Sequence, residues 1–167
     1  MEIRNVLYAF ACLAFSIVIG GAVYEHIAVV PRWTAAPPVS LSMFQGPYGL
    51  NPAPFWKNIH PVTLLLLVIS LALFWKTERR NYLLFTIAGY VLILIITFLY
   101  FVPTLIAITG TPYNETADAL LTSSAKTWET LSLVRLAVLV LLAITAFLGL
   151  TRSGSVSKLQ HKQEVMV

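Results

Sequence analysis

The sequence predicts an all-α fold: a four-helix transmembrane bundle with an ordered extracytoplasmic loop between its first two helices. Composition is the first observation. Of 167 residues, 58% are hydrophobic and 11% charged, and the mean hydropathy is +0.81, far outside the range of soluble domains. Second, the apolar residues fall into four runs, over 6–24, 62–75, 82–108 and 131–150. At about 1.5 Å per helical residue, a hydrocarbon core needs roughly 20 residues. The first, third and fourth runs meet that length, and the second does so by recruiting residues 58–61 and 76–77. Third, nearly every ionisable or phenolic residue inside or beside the runs belongs to one end of the bundle: Tyr24, Glu25, His26, His60, Glu129 and Arg135.

The first helix, about 5–30, is stopped by Pro31. Arg4, an apolar core and Gly20-Gly21-Ala22 loosely fit a cleaved leader, but the run is too long for one, so a retained helix is expected. The connection over 31–60 holds six prolines, Pro31, Pro37, Pro38, Pro47, Pro52 and Pro54, yet also Trp33, Met43, Phe44, Tyr48, Phe55 and Trp56. Disordered linkers are poor in aromatics. An ordered cap is expected instead, with a short interfacial helix over 40–45 ended by Gly46. Loops of this length in compact proteins are usually functional when they are ordered.

His60-Pro61 opens the second helix, about 59–77, with proline at the tolerated first position. Lys76-Thr77-Glu78-Arg79-Arg80 then makes a tight hairpin into the third helix, about 81–108, which Pro103 kinks or ends. The fourth helix, about 117–151, starts ahead of its apolar run, and the membrane domain therefore covers 1–151. Residues 152–167 form a polar cytoplasmic tail.

With four spans, both termini share a side with the 76–80 hairpin. That side carries Arg4, Lys76, Arg79, Arg80, Arg152, Lys158 and Lys162 against Glu2, Glu78 and Glu164. The other carries Arg32, Lys57, Lys126 and Arg135 against Glu25, Glu115, Asp118 and Glu129. The positive-inside rule makes both termini cytoplasmic in an integral, multi-pass cell-membrane protein. The net charge of +4 is thus a topology signal; the partner is the lipid bilayer, with no nucleic acid implied. Cys12 is the one cysteine, which excludes a disulfide, a zinc knuckle and a paired-thiol redox motif. The oligomeric state is left open by the pattern.

Steps of about 100° per residue test which polar groups point inward. On the third helix Thr86, Tyr90, Thr97, Tyr100 and Thr104 form one stripe, suited either to interhelical hydrogen bonds or to a ligand-lined interior. On the fourth, Trp128, Ser132, Arg135, Leu139 and Ala146 share a face, so Arg135 points into the bundle and seeks an anion. On the first, Ala9, Cys12, Ser16 and Gly20 form a small-residue strip; Tyr24 and His26 flank it and Glu25 points nearly opposite. Charges near hydrocarbon are costly, which marks the cluster as a functional-site hypothesis. His26 is suited to proton transfer; His60 has a helix-capping role as its alternative. His26, His60 and Glu25 provide donor types for a two-histidine, one-carboxylate iron site. Adjacent Glu25 and His26 diverge, however, and no His-x-x-x-His spacing exists, so no metal and no cofactor is expected. Trp33, Trp56 and Trp128 on one side and Trp75 on the other read as an aromatic belt.

Several of these pieces recur together elsewhere. They are Gly20-Gly21-x-x-Tyr24-Glu25-His26 running into Val29-Val30-Pro31-Arg32-Trp33, Phe55-Trp56 before His60-Pro61, Tyr100-Phe101-Val102-Pro103, and Trp128-Glu129 six residues ahead of Arg135. In them the chain resembles the small four-helix membrane proteins of the anthrone oxygenase-like family, from the first helix to the fourth. Characterised members oxidise polyketide anthrones to anthraquinones with molecular oxygen and no dedicated cofactor. The resemblance implies a base that removes an acidic carbon-bound proton, leaving an electron-rich anion to react with oxygen. Here His26 or His60 would be the base and Arg135 would stabilise the anion. Trp33, Trp56 and Trp128, with Tyr24, Thr97, Tyr100 and Thr104, would line a site for a small lipophilic aromatic ligand. The sequence equally admits a non-enzymatic scaffold or accessory subunit, whose inward polar groups only pack helices. A transporter is a third class, disfavoured by the absence of deep charges and broken half-helices.

Overall fold

The computed structural model describes residues 2–153; from residue 154 onward the expected polar tail lies outside the described residues. The four helices are α1 (Ile3–Trp33), α2 (Ala53–Leu73), α3 (Arg79–Thr109) and α4 (Ala119–Thr151), and there is no strand among the described residues. Each is long and apolar enough to cross a membrane, so the chain is an all-α, membrane-spanning bundle. Sequence neighbours pack together: α1 lies against α2 and α4, and α3 against α2 and α4, which closes an up-down-up-down ring.

The core of that ring is built from Tyr8, Phe15, Leu67, Phe74, Tyr90 and Leu142, among others. Phe10, Leu13, Leu65, Leu92, Phe98 and Leu141 stay exposed on its outer surface, as side chains meant for lipid would.

One end, here called proximal, gathers the start of α1, the α2–α3 turn and the end of α4. Arg79 ties them together. Its Nε donates to the Arg152 carbonyl at 2.8 Å, its Nη1 donates to Asn5 Oδ1 at 2.7 Å, and its guanidinium lies 4.6 Å from the centre of the Phe74 ring. One turn deeper, the Tyr8 hydroxyl donates to the Ala146 carbonyl at 2.8 Å.

The distal end carries a second core, in which Val30, Trp33, Leu41, Phe101, Ala125 and Trp128 meet. With 33 residues, α4 is about 50 Å long against a hydrocarbon layer of about 30 Å. It therefore reaches past the apolar layer, and the connection between α1 and α2 packs on that extension. The connection is ordered, with a 3-10 turn over Val39–Phe44 followed by Gly46 at φ 77°, a backbone region that favours glycine. The Asp118 amide donates to the Pro37 carbonyl at 2.9 Å, and Asp118 Oδ1 caps α4 by accepting from the Leu121 amide at 2.9 Å.

Two helices, α1 and α2, depart from the expected bounds, and α3 continues past its proline as expected. α2 begins at Ala53 and not near 59, because Asn51 Oδ1 accepts from the Ala53 amide and Pro52 and Pro54 occupy the entry. His60 and Pro61 consequently sit inside the helix, and capping is not the role of His60. α1 runs on through Pro31 to Trp33, and α3 through Pro103 to Thr109, because each widens into a π-helical turn first: Glu25–Val29 and Thr97–Phe101. A proline ring collides with the carbonyl four residues back. The wide turn, closed by the Val30 amide on the Glu25 carbonyl and the Val102 amide on the Thr97 carbonyl, lets each helix continue. Both turns begin six residues before their proline, on the two helices that run the same way.

Candidate functional site at the distal end

The inward face of α1 follows Tyr8, Ala11, Phe15, Val18 and Ala22, all buried, whereas Ala9 and Gly20 of the small-residue strip are exposed. The strip is the edge of the contact and not its centre. That rotation reverses the expected order of Tyr24 and Glu25. Tyr24 is 65% exposed and faces away from the bundle, so it does not join the site. Glu25 turns toward α2, where its Oε1 accepts from Trp56 Nε1 at 2.8 Å.

Trp56 reaches Glu25 because α1 and α2 approach closely. A Cβ on Gly21 would stand 2.6 Å from the Phe55 ring, so a larger residue there would push the ring aside. Trp56 in turn stacks on His60, with ring centres 5.3 Å apart and planes 22° from parallel. His60 Nδ1 is 2.7 Å from the Tyr90 hydroxyl, and the Tyr90 ring packs on Phe15 at 4.8 Å. The result is a continuous line across three helices: Glu25, Trp56, His60 and Tyr90. Thr63 lies fully buried beside the same phenol, its hydroxyl turned to that of Tyr90.

His26 occupies the first π-helical turn. Its Nδ1 is 2.8 Å from the Ala22 carbonyl, a group that can only accept, so Nδ1 carries the proton. In the neutral ring Nε2 then holds the lone pair, and this atom is buried with no partner. Glu129 is engaged, accepting from Thr34 Oγ1 at 2.8 Å and from Lys126 Nζ at 2.9 Å.

Arg135 points inward, as the spacing on the fourth helix predicts. Nη1 donates to Thr97 Oγ1 at 3.2 Å, Nη2 donates to Ser132 Oγ at 3.0 Å, and the guanidinium covers the Phe101 ring at 4.2 Å. Thr97 and Phe101 are the two ends of the second π-helical turn. Its charge interacts with those of Glu25 and His60 across the bundle. Yet the ion pairs of the described residues are Arg4–Glu2 and Lys126–Glu129, and neither involves Arg135.

The remaining expected residues separate. Trp33 and Trp128 are 2% and 5% exposed and meet edge to face at 5.4 Å, so they are cap core and not a belt. Trp128 Nε1 also donates to the Phe101 carbonyl at 2.9 Å. The polar stripe of α3 is buried at Thr86 and Tyr90, but within the π-helical turn Tyr100 is exposed, and beyond it Thr104 is half-buried without joining these contacts. Ser132 and Thr63 complete the site from within; Ser132 lies on the inward line that the spacing marks on the fourth helix, Thr63 lies on no line marked on the second, and neither is ionisable. Among the described residues no three His, Cys, Asp or Glu side chains converge into a metal-holding group. Two surface hollows, of about 420 and 260 Å³, lie elsewhere: one along Pro54, Phe55, Asn58, Ile59 and Val62, the other between Pro38 and the 111–121 segment. Comparison of the chain with models of protein families, with curated proteins and with solved structures finds no match.

Proposed function

We propose that this membrane-spanning protein binds a small, lipophilic, weakly acidic aromatic molecule at its distal end and removes a proton from it. The observation that carries the proposal is the state of His26, whose proton is committed to the Ala22 carbonyl and whose Nε2 is buried and unpartnered. A buried acceptor without a partner is costly; a proton donor on a ligand would satisfy it. Arg135 adds a cation with two modest hydroxyl partners and no carboxylate at ion-pair distance, suited to an anion that forms on deprotonation. The resemblance to the anthrone oxygenase-like family supports the same chemistry. For an anthrone methylene, loss of one proton gives the enolate, which oxygen then attacks. One oxygen atom remains as the new carbonyl, and the other leaves as water with the two hydrogens. Basic residues at the proximal end support a cytoplasmic proximal face and, with it, an extracytoplasmic site.

The alternative, a scaffold without a ligand, draws on a different observation. Glu25, His60 and Arg135 all find partners within the protein, and the two surface hollows lie away from them. Titration of the purified protein with an anthrone, read by the absorbance of its enolate, separates the two. Wild-type protein is expected to bind and to raise the enolate fraction. His26→Leu and Arg135→Met should each lower that fraction by about 10²-fold or more, while Tyr24→Ala, on the outer face, leaves it unchanged. Absence of binding, or equal behaviour of all four proteins, selects the scaffold.

A further inference from the structure

The proximal end holds a feature that the distal chemistry does not use. Between α2 and α3 the chain turns on Thr77, which is buried. Its Oγ1 donates to the Phe74 carbonyl at 2.8 Å and accepts from the Arg79 amide at 3.3 Å. Arg79, bonded to Asn5 and Arg152, fastens this turn to the ends of α1 and α4. Lys76 and Arg80, on either side of Thr77 and Arg79, are left exposed on a rigid base. Arg80 does not float free: its guanidinium lies 5.7 Å from the Trp75 ring centre, and half of Trp75 is exposed. Trp75 follows directly on the lipid-facing part of α2, where indole rings settle at the headgroup level.

Charge at this end is unbalanced. Arg4, Lys76, Arg79, Arg80 and Arg152 stand against Glu2 and Glu78 among the described residues. Glu2 is already taken by Arg4 at 2.8 Å, whereas Glu78 is exposed in the turn itself. Arg80 has a single long hydrogen bond, 3.5 Å to Asn81 Oδ1, so its fork of donors is available to oxygen acceptors. A planar cation pinned on an interfacial indole, a second cation four residues away and an apolar wall below match one chemistry: a phosphodiester attached to acyl chains.

We propose that Trp75, Lys76 and Arg80 form a binding site for the headgroup of an anionic phospholipid. The acyl chains would lie along α2, and the phosphodiester would bridge the two cations above Trp75. Arg79 takes no part in binding; it holds the turn in place.

The test uses the full-length protein in nanodiscs of phosphatidylcholine mixed equally with phosphatidylglycerol, with the retained lipid counted by native mass spectrometry. Wild-type protein should retain phosphatidylglycerol over phosphatidylcholine by about tenfold or more, the scale expected of two basic side chains at a lipid surface. Lys76→Gln combined with Arg80→Gln should abolish that preference. Arg32→Gln combined with Lys57→Gln, which removes two exposed cations at the distal end, should leave it intact. Added inorganic phosphate should not displace the lipid. Four results would each overturn the proposal: no preference in the wild type, a preference that survives the proximal substitutions, equal loss from the distal ones, or displacement by free phosphate.

Discussion

The two ends of this bundle are built on opposite terms. At the proximal end the helices are regular, a buried arginine is held by a carbonyl and an amide oxygen, and Tyr8 closes on the Ala146 carbonyl. At the distal end two helices widen into π-helical turns, and a buried imidazole nitrogen of His26 lacks a partner. Arg135 there stands apart from any carboxylate at ion-pair distance. Irregular helix and unsatisfied polar groups are rare in native interiors and collect where function requires them. On the function proposed above, the contrast assigns stability to one end and chemistry to the other.

Substitutions can break that assignment. The largest loss of stability is expected at the proximal end. Arg79→Ala removes two charge-assisted hydrogen bonds and should destabilise the purified protein by about 3 kcal/mol in thermal or denaturant unfolding. Trp128→Phe, which abandons the Phe101 carbonyl in the second π-helical turn, should cost about 2 kcal/mol by the same measure. Tyr90→Phe, which removes the hydroxyl that meets His60, should cost about 1 kcal/mol. A reversed order, with Arg79→Ala the mildest, would remove the basis of the comparison.

The smallest effect concerns Glu2, outside the spans. Its hydrogen bond and charge interaction with Arg4 hold the carboxylate below its usual range. A lowered folded-state value means that any stabilisation is present above the ordinary carboxylate range and fades as pH falls through the lowered one. The carboxylate is fully exposed, so Glu2→Gln should leave the melting temperature unchanged at neutral pH.

Much of the architecture was legible because hydropathy and length act over whole helices. The four spans, the shared side of both termini, the capped connection and the inward face of α4 all follow from runs and spacing. What escaped was local register. An even 100° step from Ala9 through Gly20 put Tyr24 inward and Glu25 outward; small residues marked the edge of the contact, and the true inward line lies beside it. The same even step carried the α3 stripe past Thr97, where the wide turn breaks it. A signal was present: Val-Pro at 30–31 and again at 102–103, each closing a segment that the helix must widen to pass. The start of α2 was missed for another reason. Asn51 caps it through a side chain in a segment whose prolines read as a loop.

The assignment of chemistry to the distal end rests most directly on His26. Replacing it by leucine removes an unpartnered buried nitrogen at the expense of one hydrogen bond to the Ala22 carbonyl. If His26 is kept for chemistry and not for stability, the melting temperature of His26→Leu in the absence of ligand will equal or exceed that of the wild type, while anthrone binding is lost. A marked fall in melting temperature, with anthrone binding absent from both proteins, would contradict the account and make His26 part of the frame.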